Sequence, residues 1–334
     1  MAPAMTHWER MRAALKCEET DHPPFSLWRH FPVEDEGPEE LATATIRWQQ
    51  LYDFDLVKFM PPGTYSIEDW GGKSVYTPDH FGIRKTGTFG VTNHEDWPRL
   101  EQLDVTRGYL GKQLEALRLT AEELKDGVPI LQTVLSPLTT ARKLAGDRIF
   151  NDLRMHSDIF MEGLRIIAET TARFARESLR AGAHGLFFAT QCGTYRLLNE
   201  DEHRSFGKHF DLTVIDAVRG ESDFNLVHAH GEDIMFDLIA GYPVEAINWH
   251  DRLTRPSLRE ARKRFPGLLV GGINEQHTLV NGPIEAIQTE IREAITQTDG
   301  RGLMVAPGCV IPIHTPVAHI RAARSAIVAL KNGE

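Results

Sequence analysis

Eight short apolar runs, each followed by a segment of helical spacing, limit what this chain can fold into more than any other feature. The runs fall at residues 25–28, 56–59, 129–134, 185–189, 224–227, 246–249, 268–270 and 303–305. They are nearly continuous in apolar residues, the mark of strands covered on both faces, as in a parallel sheet. Helical patterns follow at about 41–52, 108–124, 157–181, 200–219, 234–240, 257–264, 283–296 and 316–330, with an amphipathic stretch at 6–16 ahead of them all. The 157–181 pattern opens on Ser157 and closes in Ala181-Gly182, an N-cap and a C-cap signal. Eightfold alternation predicts an α/β fold, a single (β/α)8 TIM barrel. Residues 64–105 break the rhythm with Trp70-Gly-Gly72, Val75-Tyr76 and the apolar positions of 83–91. They read as a hairpin-like insertion after strand two, expected over the barrel mouth. No Gly/Ser linker, low-complexity tract or repeat divides the chain, so residues 1–334 read as one domain.

In such a barrel the chemistry sits at the C-terminal ends of the strands. Those ends offer, in order, Arg29 and His30; Tyr65, Glu68 and Asp69; Ser136; Gln191 and Cys192; His228 and His230; Asn248 and His250; Asn274 and His277; and Cys309. His228 and His230 are two apart and share one face of an extended strand. Cys309 follows Pro307-Gly308 at the end of the last strand, where it would meet them at the mouth. Two imidazoles and a thiolate make an N/N/S set that binds zinc and leaves a fourth position open. Each residue also has an ordinary reading: a hydrogen-bonded strand-end histidine, a half-buried thiol. Glu68 and Asp69 are either turn residues or, with His250, candidates for general acid–base work. Arg29 either anchors a substrate anion or pairs with Glu68 or Asp69. Tyr65, Gln191, Asn248, Asn274 and His277 are candidates for substrate contact.

The formal charge of −10 argues against nucleic acid or an anionic membrane as the main partner. Cys17, Cys192 and Cys309 are too few and too scattered for a disulfide framework, which fits a reducing compartment. No apolar stretch approaches the ~20 residues of a transmembrane helix. A cytoplasmic protein acting on a small molecule is expected.

Six segments, in this order and at barrel spacing, resemble the uroporphyrinogen decarboxylase superfamily: Thr20-Asp-His-Pro-Pro-Phe25, Ser136-Pro-Leu-Thr-Thr140, Ala181-Gly-Ala-His-Gly185, Ala246-Ile-Asn-Trp-His250, Gly271-Gly-Ile-Asn274 and Ala306-Pro-Gly-Cys309. The resemblance covers nearly the whole chain, from 8 to 330. The group contains the haem-pathway decarboxylase and zinc-dependent methyltransferases that move methyl groups from a corrinoid to a thiol such as coenzyme M. The decarboxylase branch implies Arg-Gln-Ala-Gly-Arg-Tyr after strand one, a catalytic aspartate after strand two and a Gly-His-Gly near the C-terminus. Here those places read Trp28-Arg-His-Phe-Pro-Val33, Phe59-Met-Pro-Pro-Gly63 and Gly308-Cys309-Val310, so Arg29 alone survives and the nearest acids are Glu68 and Asp69.

The methyltransferase branch implies His-x-Cys after strand five and Pro-Gly-Cys after strand eight. His228-Ala-His230 and Pro307-Gly-Cys309 match, with histidine in place of one cysteine. A His₂Cys set carries one ligand charge less than His-Cys₂ and makes the metal a stronger Lewis acid. The expected function is a zinc-dependent methyl- or alkyltransferase acting with a corrinoid or thiol substrate, the metal held by His228, His230 and Cys309. Alternatives are cofactor-free decarboxylation of a porphyrinogen or related carboxylated pyrrole, a lyase step of porphyrin biosynthesis, and a non-catalytic tetrapyrrole-binding barrel. The chain has no Asp-x-His-x-x-Gly segment of an attached corrinoid domain, so a corrinoid would arrive free or on a separate protein. A homodimer is left open.

Overall fold

A computed structural model describes residues 4–329; Leu330, expected to end the closing helix, lies outside the described residues. Seven strands, β1 (Val57–Phe59), β4 (Ile130–Leu135), β5 (Gly185–Thr190), β6 (Leu226–Ala229), β7 (Ala246–Trp249), β8 (Leu268–Ile273) and β9 (Leu303–Pro307), form one parallel sheet in the order β1-β4-β5-β6-β7-β8-β9. The intervening β2 (Lys73–Val75) and β3 (Lys85–Thr88) pair with each other as an antiparallel hairpin. Among the described residues no helix is long and apolar enough to cross a membrane.

Period two decides what each strand buries where. Leu56 and Met60 beside β1, Phe187 of β5, Leu226 of β6, Leu268 and Val270 of β8, and Met304 and Ala306 of β9 pack into one inner cluster. Their neighbours Leu186, Phe188, Val227, Leu269, Leu303 and Val305 face the other way, into a second cluster shared with helix residues such as Phe174, Val214 and Ile291. The sheet therefore curls around its own side chains, an arrangement consistent with a TIM-like barrel.

The expected first strand, 25–28, is reduced to a single parallel bridge, Phe25 to Val305. The Val305 amide donates to Pro24 O, the Ser26 amide to Val305 O, and the Asp55 amide to Phe25 O, so residues 24–26 span the gap between β9 and β1. The ladder stops there for two reasons. Pro24 has no N–H to give, and the Phe25 amide is taken by the Asp55 carboxylate at 2.9 Å. That carboxylate also accepts from Arg10, which pairs with Asp21, tying helix His7–Leu15 to the base of the sheet.

Two helices appear where none was expected, Pro137–Ala145 and Ile149–Met155. The first is capped by Ser136, whose hydroxyl accepts from the Thr139 amide, with Pro137 at the first helical position. The expected 200–219 helix runs unbroken from Glu200 to Asp216, with a π-helical stretch at His203–Lys208 between Glu200–Glu202 and His209–Asp216. Residues 64–105 lie against the helices after β4: the Thr86 hydroxyl donates to Lys143 O, the Val91 amide to Leu144 O, and the Trp97 indole to Asp152.

One buried polar group outside the sheet makes stability depend on pH. Asp211 accepts from the Tyr242 hydroxyl at 2.7 Å through Oδ2, while Oδ1 has no hydrogen-bond partner among the described residues. Burial pushes its carboxyl up to about 7 against that bond. The unfolded chain loses this proton near pH 4 and the folded chain only near 7. Raising pH through that window therefore costs stability, about 2–4 kcal/mol when complete. Asp211→Asn keeps an acceptor for Tyr242 and removes the charge. Its melting temperature relative to wild type should rise between pH 5 and pH 8; a constant difference would contradict the buried-carboxyl account.

Candidate metal centre

The inward positions of β6 and β7 become polar at their C-terminal ends. Leu226 is followed on the same face by His228 and His230, and Ala246 by Asn248 and His250, with His228 directly opposite Asn248 across the ladder. Cys309 comes from the turn after β9. One donor atom from each of His228, His230, His250 and Cys309 lies within 4.8 Å of the others. His230 Nδ1 is 3.5 Å from His228 Nε2, 3.4 Å from His250 Nε2 and 3.7 Å from Cys309 Sγ. Ligands on bonds of 2.0–2.3 Å around a tetrahedral zinc stand about 3.3–3.7 Å apart, and the three distances at His230 match that spacing.

Neighbouring groups decide which way the ring nitrogens face. Asn248 Nδ2 donates to Val270 O at 2.8 Å and to Pro307 O at 3.1 Å, which leaves its Oδ1 toward His228 Nδ1 at 2.6 Å. Nδ1 of His228 must then carry the proton, and the lone pair on Nε2 faces the cluster. Glu275, fully buried, does the same for His250: Oε1 accepts from Nδ1 at 2.9 Å and Oε2 accepts from the Gly308 amide at 3.1 Å. The same carboxylate thus sets a ring and holds the turn that presents Cys309. Oriented imidazoles backed by a carboxylate or amide are the usual second layer of a metal site.

Charge is distributed to match. Burial pushes the His228 imidazolium down to about 4, so this ring is neutral at physiological pH. Burial opposes ionisation of Cys309, but the three imidazoles around it outweigh that and hold its thiol well below the usual range. His250 loses to burial and gains more from Cys309 and Glu275, and is pushed up to about 10. A thiolate beside the neutral His228 ring suits a zinc site, and the proton that His250 holds on Nε2 would leave as the ion binds.

The remaining sequence candidates have other partners. Asp69 accepts from the Tyr109 and Leu110 amides at 2.7 and 2.9 Å, capping helix Gly108–Leu124 with a negative charge at its positive end. Glu68 accepts from the amide and hydroxyl of Ser74. Of the two readings of Arg29, the ion pair with Glu68 or Asp69 is not formed. The Arg29 guanidinium instead lies over Phe31 and Trp48 and donates to Ile313 O at 2.9 Å. The Tyr65 hydroxyl is spent on the β4 backbone, between Thr133 O and the Leu135 amide. Asn274 turns its side chain back onto the amides of Gln276 and His277, and His277 is exposed. Gln191 is half-buried just beyond β5, with its amide on the Thr139 hydroxyl. Glu275 escaped the sequence reading, although it directly follows the Gly271-Gly-Ile-Asn274 segment.

The family model described as uroporphyrinogen decarboxylase (URO-D) matches residues 6–329. The chain belongs to the URO-D family. This URO-D chain is 21% identical over 232 residues to Methylcobamide:CoM methyltransferase MtbA of Methanosarcina acetivorans, covering 69% of this chain and 67% of that protein. It is 24% identical over 211 residues to Methylcobamide:CoM methyltransferase MtaA of Methanosarcina barkeri, covering 63% and 60%. Among solved structures, a methyltransferase from Methanosarcina mazei superposes with a TM-score of 0.85 at 22% identity, covering 98% of this chain and 99% of that one. A B12-independent methionine synthase from Shewanella sp. W3-18-1 follows at 0.57 and 15%, covering 93% and 92%. At these identities the two structures attest the shared fold of the URO-D chain.

Proposed function

We propose that this chain is a zinc-dependent transferase that moves a methyl or other small alkyl group onto a thiol, with a corrinoid, free or on a separate protein, as donor. The observation that carries the reading is the convergence of His228, His230 and Cys309, with the Nε2 lone pair of His228 turned inward by Asn248. The methyltransferase activity for which the MtbA and MtaA relatives are named supports it. Zinc, when bound, would lower the pKa of a substrate thiol and present it as a nucleophile. His228, His230 and Cys309 would hold the ion. His250, fixed at Nδ1 by Glu275, would stand beside the thiol with Nε2 toward it. In this reading the chain forms one closed single-domain barrel in the cytoplasm, with 25–28 in the eighth strand position and 64–105 over the mouth.

The decarboxylase reading is left without its machinery, since Glu68 and Asp69 are engaged and Arg29 stacks on aromatic rings. A non-catalytic tetrapyrrole barrel gives no reason for three imidazoles and a thiol around one point. The test is demethylation of methylcobalamin by 2-mercaptoethanol, followed by absorbance. Zinc-loaded protein should accelerate it and the Cys309→Ala form should not; equal rates in both would contradict the proposal.

A further inference from the structure

The segment between β1 and β4 has two firmly held ends and a thinly held middle. On one side Ile67 is fully buried and the Asp69 carboxylate caps helix Gly108–Leu124. On the other, Val91 and Trp97 are fully buried and the Trp97 indole donates to Asp152. Residues 73–89 between them bury little. Every residue of β2 and β3 is exposed or half-buried, and the two strands pair over three positions with a register shift between Lys73 and Ser74. A two-stranded hairpin of this kind is marginal by itself. At its base Gly71 adopts a φ of 82° with open space around it, the backbone freedom a hinge uses.

An apolar tip and a few polar ties hold this middle down. Phe81 and Ile83, both half-buried, pack against the inner cluster of the sheet, and so does Cys309. Between them Gly82 lies so close to Pro32 and Ile313 that a Cβ there would stand 3.0 and 2.9 Å from their side chains. Arg84 is buried and reaches Asp35 at 2.8 Å and Glu36 at 2.9 Å. The Ile313 amide donates to His80 O at 2.8 Å, and the Thr86 hydroxyl to Lys143 O at 3.2 Å. Pro32 to Glu36 follow the 25–28 segment, and Ile313 follows β9 and Cys309, so the tip rests on loops that leave neighbouring strand ends. The loop that receives Arg84 is strained. Val33, β-branched and 65% exposed, is held at a φ of 80°, a conformation that persists only while its surroundings enforce it.

We propose that residues 73–89 are a lid, closed in this structure, that swings from Gly71. Shut, Phe81 and Ile83 plug the interior beside Cys309 and keep water from the His/Cys cluster. Open, the Arg84 latch and the His80 bond are broken, the Val33 turn relaxes, and small molecules reach the cluster. The lid requires no particular chemistry beneath it and stands apart from the thiol reading.

The test uses the metal-free protein, alkylated with iodoacetamide and followed by peptide mass. Cys309 reports access under the lid, and fully buried Cys192 reports global unfolding. Arg84→Met leaves Asp35 buried without its cation when the lid is shut but hydrated when it is open. The open population, and with it the Cys309 rate, should rise about 10- to 100-fold while Cys192 stays unreactive. Phe81→Ala keeps the latch and removes part of the plug; it should raise the Cys309 rate about 10-fold and serves should Arg84→Met not fold. In wild type the Ile313 amide, whose partner is His80 O of the lid, should exchange hydrogen about 10-fold or more faster than the amides of β5 to β8. Equal Cys309 rates in the three forms, or Ile313 exchange as slow as that of the sheet, overturns the lid. Cys309 and Cys192 accelerating together would mark unfolding of the whole barrel and overturns it as well.

Discussion

Cys309→Ala should lower the affinity for zinc by about 10²- to 10³-fold. The total free energy of a four-ligand zinc site, about 10–16 kcal/mol, divides into some 2.5–4 kcal/mol per ligand. Sγ is also the one anionic donor of the cluster, and the three rings around it favour its thiolate. The metal-free protein should be nearly unaffected, since Cys309 contributes little to the packed interior beyond its edge position on the inner cluster. Competition with a chromophoric chelator reads the first quantity and thermal melting in the presence of chelator the second. Unchanged zinc affinity would remove Cys309 from the site.

Glu275→Gln should cost about 10- to 100-fold in zinc affinity without touching the metal. The carboxylate uses both oxygens, one for His250 Nδ1 and one for the Gly308 amide. An amide has one acceptor oxygen, so glutamine satisfies either the ring or the turn and sets an N–H against the other. His250 loses its fixed tautomer, or the Pro307-Gly308-Cys309 turn loosens. A merely structural role would lower the melting temperature of the metal-free protein, by the 1–3 kcal/mol of an unsatisfied buried donor, and leave zinc affinity relative to that baseline unmoved. The two readouts separate the cases.

The sheet was legible because strands covered on both faces must be apolar throughout, and the seven runs from 56–59 to 303–305 all recur as strands. The first run was not, because its failure depends on a carboxylate thirty residues away taking the Phe25 amide. His228, His230 and Cys309 were nameable from strand ends alone, since period two and strand order suffice to bring them together. His250 was assigned to catalysis, and its place inside the donor cluster depends on the β6–β7 register, which no local pattern gives. Glu275 comes from a loop, and only the adjacency of β7, β8 and β9 puts it between His250 and Gly308. Glu68 and Asp69 show the opposite limit. An acid beside a turn has the same local signature whether it faces a substrate or caps a helix, and here Asp69 caps one.

The most direct test of the account is elemental analysis of the purified protein joined to zinc-edge X-ray absorption on the wild type and Cys309→Ala. The account predicts one zinc per chain after zinc loading, with one sulfur at about 2.3 Å and at least two imidazole nitrogens at about 2.0–2.1 Å, and loss of the sulfur shell in the variant. Zinc absent after loading, or a wild-type spectrum without sulfur, would contradict it.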